Sequence, residues 1–246
     1  MAEKYTKRNY PAIQAGRQGI IAWIAVLLCC TCGLDSFAQE NDAQLWINVY
    51  LEKKLTHNLA IHLNEETRIN ENVSQIGFTY GDFGLTYKVT GFMNATAAYV
   101  LIEKYYINNS RLNDYFSTRH QFYFNLTFKK DFGPLKVHLR EQVQSQVKDI
   151  YSSDNGYIPD YYLRNKLTLK YDLTRRLTPY VAFEVYYQLS NIYGNEIDRT
   201  RLFGGFFYKL SRQNELELYH MYQQQYNVNN PHADFVTGIG FAHYFK

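Results

Sequence analysis

The chain has 246 residues, of which 46% are hydrophobic and 20% are charged, and its formal net charge is +3. This composition excludes a wholly disordered chain, and so mild a positive charge gives no reason to expect a nucleic-acid partner. The 24 Tyr and 16 Phe residues accompany a negative mean hydropathy of −0.42. That combination favours a membrane protein with aromatic belts over a cytosolic enzyme.

The chain opens with a segment typical of a secretion signal. Four basic residues lie within residues 1–19, and residues 20–30 form an apolar run that is too short to cross a bilayer as a helix. Ser36 and Ala38 then provide the small residues expected before a cleavage site. We predict a signal peptide over 1–38, with an uncleaved anchor or a lipoprotein signal as alternatives.

Removal of this segment changes the chemistry available to the protein. Cys29, Cys30 and Cys32 all leave with it, so the mature chain, 39–246, contains no cysteine and can form no disulfide. The segment carries four of the 26 basic and two of the 23 acidic residues, so 22 and 21 remain. A nearly neutral chain offers no strong field for steering anionic partners.

The mature chain is dominated by runs in which apolar and polar residues alternate, the pattern of half-buried β-strands. We find eleven such runs, near residues 45–51, 59–68, 83–87, 93–101, 119–128, 135–144, 163–171, 180–187, 199–210, 215–218 and 235–245. No apolar stretch is long enough for a transmembrane helix. The mature chain is therefore predicted to be all-β.

The connections between these runs alternate in length. Short ones are predicted at 56–58, 89–91, 129–134, 173–178 and 211–214, and longer polar ones at 70–75, 107–114, 148–160, 189–197 and 228–233. Short turns at one end and longer loops at the other are typical of an antiparallel transmembrane β-barrel, with periplasmic turns and extracellular loops. We predict such a barrel over 39–246, with about 10–12 strands.

The number of runs conflicts with one rule of bacterial barrels, which have even numbers of strands. We therefore expect ten or twelve strands, with one run misread or the N-terminus entering through the lumen. A secreted sandwich or lipocalin-like barrel would also alternate. Charged side chains crowd one face of the runs, however, and aromatics such as Tyr87, Phe128 and Tyr208 end the other. Both features favour the membrane barrel.

Several diffuse patterns along the whole mature chain resemble one protein family. They are Gln44-Leu45-Trp46, Leu85-Thr86-Tyr87-Lys88, Pro179-Tyr180 with Glu184, Arg199 to Tyr208 and the aromatic close at Tyr244-Phe245. The chain thereby resembles an uncharacterised family of Gram-negative outer-membrane β-barrels, catalogued as a domain of unknown function. The resemblance implies the barrel fold and the outer membrane, and it implies no particular activity.

The polar faces of the strands would form the lumen, so their charged and histidine residues are the candidate functional residues. We predict a lumen lined by Glu66, Arg68, Arg119, Lys136, His138, Arg140, Arg164, Lys166, Lys170, Glu184, Arg199, Arg201 and Glu217. Two interpretations stay open: a solute path with a selectivity ring, or a lumen packed by ion pairs. Basic residues outnumber acidic residues in this set, so an open pore would favour the passage of anions.

Signatures of catalysis or metal binding are weak. The seven histidines include no His-x-His or His-x-x-x-His spacing, and no Gly-x-Ser-x-Gly elbow exists. Ser117 and Ser145 are the strand serines that a histidine such as His138 could activate from another strand. We expect no enzyme, no cofactor and no metal.

These observations predict an integral outer-membrane barrel with a structural or passive small-solute transport role. Two alternatives are an enzyme that modifies lipid or envelope polymer, and an adhesin or receptor that uses its long loops, such as 148–160. The expected partners are outer-membrane lipid, a small solute, and the barrel-assembly machinery, which would recognise the C-terminal strand ending at Phe245. The expected location is the outer membrane of a Gram-negative bacterium, after cleavage following Ala38.

Overall fold

The computed structural model describes residues 41–106, 115–148, 160–189, 196–227 and 231–246. These ranges form eleven strands: β1 (Asn41–Lys54), β2 (Leu59–Asn70), β3 (Gln75–Lys88), β4 (Met93–Tyr106), β5 (Tyr115–Phe132), β6 (Leu135–Lys148), β7 (Asp160–Tyr171), β8 (Leu177–Gln188), β9 (Glu196–Lys209), β10 (Asn214–Gln225) and β11 (Ala233–Phe245). No helix in these ranges is long and apolar enough to cross a membrane. The predicted signal peptide and most of the loops predicted at 107–114 and 148–160 lie outside them.

The strands close into one barrel. Each strand pairs antiparallel with its neighbours in the chain, and the barrel is sealed by a parallel pair between β1 and β11. That seam runs from Asn41 beside Ala233 to Lys53 beside Phe245. Strands that alternate up and down can close with an odd number only through one parallel pair. Eleven described strands agree with the predicted range and with the runs, but the expected even number is not met.

The side chains alternate between two faces with opposite chemistry. Large apolar residues point outward and stay exposed, as in Phe122 (55%) and Leu202 (56%). The inward neighbours are buried, as in Trp46 (4%) and Glu184 (1%). An apolar outer face around a charged interior is the reverse of a water-soluble barrel, and it confirms the face assignment made from the alternation.

The two ends of the barrel differ in their connections. At one end, here called the short-turn end, the turns after β1, β3, β5, β7 and β9 join neighbouring strands through at most five residues. The opposite end, called the long-loop end, carries the connections after β4, β6, β8 and β10. The chain leaves β11 at the short-turn end and begins β1 at the long-loop end.

The connection between β2 and β3 differs from its prediction as a longer loop. It is a four-residue turn at the long-loop end, in which Glu71, Asn72 and Val73 all have positive φ (52°, 55° and 62°). Contacts with the start of β1 hold this turn. Asn72 N–H donates to Asp42 Oδ1 at 2.8 Å, and Val73 N–H donates to Ala43 O at 3.0 Å.

Candidate functional site in the barrel lumen

All the residues predicted to line the lumen lie at inward positions of the register. They pair across strands with buried residues or with one another, as Arg201 does with Glu184 and Arg119 with Ile102. The set is Glu66, Arg68, Arg119, Lys136, His138, Arg140, Arg164, Lys166, Lys170, Glu184, Arg199, Arg201 and Glu217. Strand alternation alone produces this alignment, because every second side chain points to one face.

Glu184 on β8 is the centre of a buried ionic cluster. Its Oε1 accepts hydrogen bonds from Arg140 Nη2 at 2.6 Å and from Arg164 Nη2 at 2.8 Å, and its Oε2 lies 3.7 Å from Arg201 Nη1. Three guanidinium groups from β6, β7 and β9 therefore converge on one carboxylate. We call Glu184 with these three arginines the Glu184 cluster. The cluster holds excess positive charge, which the surrounding side chains must accommodate.

Neutral polar groups and a tyrosine ring complete the surroundings of the arginines. Arg164 Nη1 donates to Gln144 Oε1 at 3.0 Å, and Arg201 Nε donates to Gln223 Oε1 at 2.7 Å. Gln223 donates in turn to Asp234 on β11. The ring of Tyr186 lies under the guanidinium groups of Arg164 and Arg201, at 4.2 and 4.7 Å from its centroid. The glutamine oxygens accept hydrogen bonds from the guanidinium groups, and the tyrosine ring lies against their positive charge.

Trp46 extends this network to the other side of the lumen. The guanidinium of Arg68 lies 3.6 Å from the centroid of its ring, and that of Arg201 lies 5.2 Å from it. Arg68 also pairs with Glu66 at 2.6 Å. Since Arg68 is on β2 and Arg201 on β9, the contacts through Trp46 on β1 bridge opposite parts of the barrel wall. Side chains therefore reach across the lumen at this level.

An apolar group lies on the inner face of β8 to β11, where the sequence led us to expect polar residues. Phe203 and Met221 pack with Tyr180, Ala182, Val236 and Trp46. The ammonium of Lys166 lies 3.8 Å from the Phe203 ring centroid. The alternation along β9 and β10 already predicts inward positions for Phe203 and Met221. The predicted lumen lining did not include them, because only polar residues were expected there. Buried apolar surface stabilises the packed interior.

A polar cavity of about 410 Å³ lies between this packed level and the short-turn end. Asp82 lies in its wall between His62 and Tyr123: His62 Nε2 is 3.4 Å from Asp82 Oδ1, and Tyr123 Oη donates to Asp82 Oδ2 at 2.9 Å. The His62 ring fits because Gly84 lies opposite on β3, where a Cβ would come within 2.3 Å of it. Two neutral amides lie beside this group. Asn48 Nδ2 donates a hydrogen bond to Asn64 Oδ1 at 2.6 Å.

Neither serine considered for catalysis lies near His62. Ser145 shares the outward face of β6 with Val143, away from the lumen. Ser117 is inward but lies six residues along β5 from Tyr123, the residue level with His62 in the register, a separation of roughly 20 Å. Within the described ranges, no group of three or more His, Cys, Asp or Glu side chains is arranged to hold a metal ion.

A closed β-sheet with an apolar outer face and a charged, packed interior defines a transmembrane β-barrel of the outer-membrane type. The chain belongs to the family described as protein of unknown function, DUF2490, whose family model matches residues 43–234. A comparison with curated proteins finds no match.

Solved structures of outer-membrane barrels are similar at low identity. OmpT of Vibrio cholerae aligns with a TM-score of 0.41 and 12% identity over 76% of this chain, which spans 64% of the OmpT chain. The translocator domain of the autotransporter NalP from Neisseria meningitidis aligns with a TM-score of 0.42 and 11% identity, covering 79% and 77% of the two chains. The β-domain of the Bordetella autotransporter BrkA aligns with a TM-score of 0.44 and 11% identity, covering 78% of this chain and 86% of the BrkA chain.

Proposed function

We propose that this protein is a structural component of the outer membrane, with a lumen that side chains close at the level of the Glu184 cluster. The observation that carries the proposal is the burial of Glu184, which is 1% exposed and bound by Arg140 and Arg164 at 2.6 and 2.8 Å. A hydrated solute would have to separate these groups. Separating them would leave a buried carboxylate without its partners, so we expect the open form to be rare.

A passive transport role is the second candidate, and the polar cavity favours it. The cavity of about 410 Å³ is large enough for a small solute, and its amide, hydroxyl and charged groups could hold one. Solute would then cross only when the Glu184 cluster rearranges. We regard this role as secondary, because the packed level lies directly between the cavity and the long-loop end.

Conductance in planar bilayers distinguishes the two roles. We expect the refolded wild-type chain to give no steady current steps. We expect a triple variant, Arg164→Ala, Glu184→Ala and Arg201→Ala, to give them, because it removes the carboxylate together with two of its partners. The matched control carries Leu167→Ala, Phe183→Ala and Leu202→Ala, three outward residues in register with one another. Gel mobility before and after heating verifies that each protein is folded.

Steady current steps from the folded wild-type protein would reject the closed lumen and support passive transport. A folded triple variant that stays silent would show that the barrier lies elsewhere. Steps in the outward control would mean that general loosening of the wall is sufficient, and this result would also reject the proposal. Each outcome is therefore decisive for the position of the barrier.

We also propose that the barrel is not an enzyme, supported by the separation of Ser117 from His62 along the strands. Unchanged envelope lipids and polymers in a deletion strain would agree with this. A lost lipid modification that wild type restores but a His138→Ala variant does not would contradict it. The adhesin alternative depends on the loop predicted at 148–160, most of which lies outside the described residues.

The proposed location and assembly route can be tested separately. We propose cleavage after Ala38, so mass spectrometry of the N-terminal peptide of the protein from outer membranes is expected to find Gln39, free or as pyroglutamate, at its start. We further propose that the assembly machinery recognises the strand ending at Phe245, whose ring is exposed on the outer face. Phe245→Ala is then expected to reduce the folded amount in the membrane more than Phe132→Ala, an exposed aromatic at the same end.

A further inference from the structure

Two neighbouring turns at the short-turn end bring four cations together. The turn after β7 carries Arg175 and Arg176, and the turn after β9 carries Arg212, with Lys209 at the last position of β9. Because β8 pairs with β9, the two turns lie side by side, and Lys209 N–H donates to Arg176 O at 2.8 Å. The four side chains line one open cleft of about 610 Å³, here called the basic cleft.

The cations of the basic cleft are accessible to an anion from solvent. All four are exposed, and none of them forms an ion pair with a carboxylate in the described part of the chain. Asp172 in the first turn is paired with Lys136 at 2.7 Å and also interacts electrostatically with Lys209. Glu215 is the one carboxylate among the residues that line the cleft, so the lining keeps a clear positive excess.

The basic cleft lies where the lipid-facing surface ends. Tyr208 and Leu210 flank Lys209 and are exposed by 36% and 47%, and Tyr171 and Leu173 are similarly exposed beside the other turn. Tyrosines at the end of an apolar outer face mark the depth of the lipid head groups. Lys209 directly follows Tyr208, and the three arginines lie four or five residues beyond Tyr171 or Tyr208, which places the four cations at the depth of the phosphates.

The geometry points to a phospholipid site: we propose that Arg175, Arg176, Lys209 and Arg212 bind the phosphate of an anionic glycerophospholipid. Guanidinium groups match phosphate oxygens through paired hydrogen bonds, and three of the four cations are arginines. Tyr208 and Leu210 on the outward face provide a surface for the acyl chains, and the head group would reach over the rim to Lys209, which occupies an inward register position. A glycerophospholipid is the source chosen because short turns of outer-membrane barrels face the periplasmic leaflet, whereas lipid A occupies the outer one.

Lipid binding to the refolded full chain tests the site. Native mass spectrometry from mixed micelles measures the preference for phosphatidylglycerol over phosphatidylcholine at equal concentration. We expect the variant Arg175→Gln, Arg176→Gln, Arg212→Gln to lose that preference by about tenfold or more, since each cation near the surface contributes separately. The matched control Lys54→Gln, Lys129→Gln, Lys130→Gln removes three exposed cations from other parts of the same end and is expected to keep it.

Four results would overturn the proposal. An equal loss in both variants would assign the preference to the overall charge of the short-turn end. No preference in the wild-type protein would remove the site altogether. Tighter binding of lipid A than of phosphatidylglycerol would assign the site to the other leaflet. Displacement of the lipid by inorganic phosphate at equal concentration would make free phosphate the ligand. All the substituted residues are exposed, and heat-dependent gel mobility verifies that both variants are folded.

Discussion

Arg140 and Glu184 are 44 residues apart in the chain, yet Arg140 Nη2 lies 2.6 Å from Glu184 Oε1. Strand β7 separates their strands, so the pair spans a neighbour and ties β6 to β8 through the lumen. Arg164, from the strand between them, binds the same oxygen at 2.8 Å. One carboxylate oxygen thus joins three consecutive strands from the inside.

Glu184→Gln is expected to destabilise the barrel by about 3–5 kcal/mol, because it leaves the buried Arg201 and the half-buried Arg140 and Arg164 without their common carboxylate. Guanidinium unfolding in detergent micelles measures the change. Asp172→Asn, which breaks an ion pair in an exposed turn, is the control and is expected to reduce stability by at most about 1 kcal/mol. Equal effects of the two substitutions would show that the Glu184 cluster contributes no more than a surface pair.

Trp46 is expected to report the packing of the lumen in the predicted mature chain, 39–246, where it is the only tryptophan. Arg68→Ala removes the guanidinium that lies 3.6 Å from its ring, a contact worth about 1–2 kcal/mol when desolvated. We expect acrylamide to quench Trp46 more readily in this variant. Arg68→Lys is expected to be intermediate, and Arg176→Ala, in the exposed turn, to leave quenching unchanged. No response to Arg68→Ala would mean that Trp46 is shielded by other contacts.

Gly238→Val is expected to destabilise the barrel by about 1–3 kcal/mol through overpacking. A Cβ at Gly238 would come within 1.9 Å of the ring of Tyr219, which lies over this glycine inside the lumen. A matched control exists in Gly204, where a Cβ would meet nothing within 4 Å and Gly204→Val should have little effect. Adding Tyr219→Ala to Gly238→Val should recover part of the loss. Chemical unfolding decides whether this coupling is present.

Val73→Gly is expected to stabilise the barrel by about 1 kcal/mol. Val73 has φ of 62° in the β2–β3 turn, a conformation that is strained for a β-branched residue but open to glycine. Val89 is an exposed turn valine without positive φ. Val89→Gly is expected to destabilise the barrel slightly, because glycine gives the unfolded chain more conformational entropy. Thermal unfolding of the two variants should therefore shift in opposite directions, and shifts in the same direction would contradict the strain.

The Asp172 pair predicts a dependence of stability on acid. The ion pair with Lys136 and a hydrogen bond from Thr178 hold the pKa of the Asp172 carboxyl below its usual range. A lowered pKa in the folded state means that the pair stabilises the barrel above the unfolded-state pKa, and that this contribution is lost as the pH falls through the folded-state pKa. Wild type and Asp172→Asn should therefore differ by at most about 1 kcal/mol at pH 7 and converge in acid.

Unfolding across the acid range, with Lys136→Gln as a second variant, checks this expectation. Lys136→Gln should show the same deficit at pH 7 and the same convergence, and half-molar salt should reduce it, because the pair is about one-third exposed. A deficit that persists at low pH would mean that Asp172 acts through the hydrogen bond from Thr178 instead.

Strand alternation was a sufficient basis for predicting the wall of the barrel. The opposition of Phe183 to Glu184, for example, correctly placed one residue on the lipid side and the other inside. Alternation records only which face a residue occupies, however. It carries no information on which inward residues meet, so the convergence of Arg140, Arg164 and Arg201 on Glu184 needed the register of four strands.

Two features of the structure were not identified from the sequence. The β2–β3 connection was predicted over 70–75 as one of the longer loops, and no Gly marks the turn in which Glu71 and Val73 adopt left-handed backbone. The apolar residues Phe203 and Met221 were inward by parity, but they contradict the polar lumen expected of a membrane barrel. The contacts of the turn with β1 and the packing of Phe203 against Met221 depend on residues distant in the chain.

The parallel seam between β1 and β11 has a topological consequence for redesign of the protein. In a barrel with an even number of strands, the first and last strands end on the same rim, and a short peptide can join them. Here Asn41 and Phe245 lie on opposite rims, so a circular permutant would need a linker of roughly a dozen extended residues. That linker would have to thread the lumen, where Glu184 and Trp46 leave it no room, or else cross the lipid.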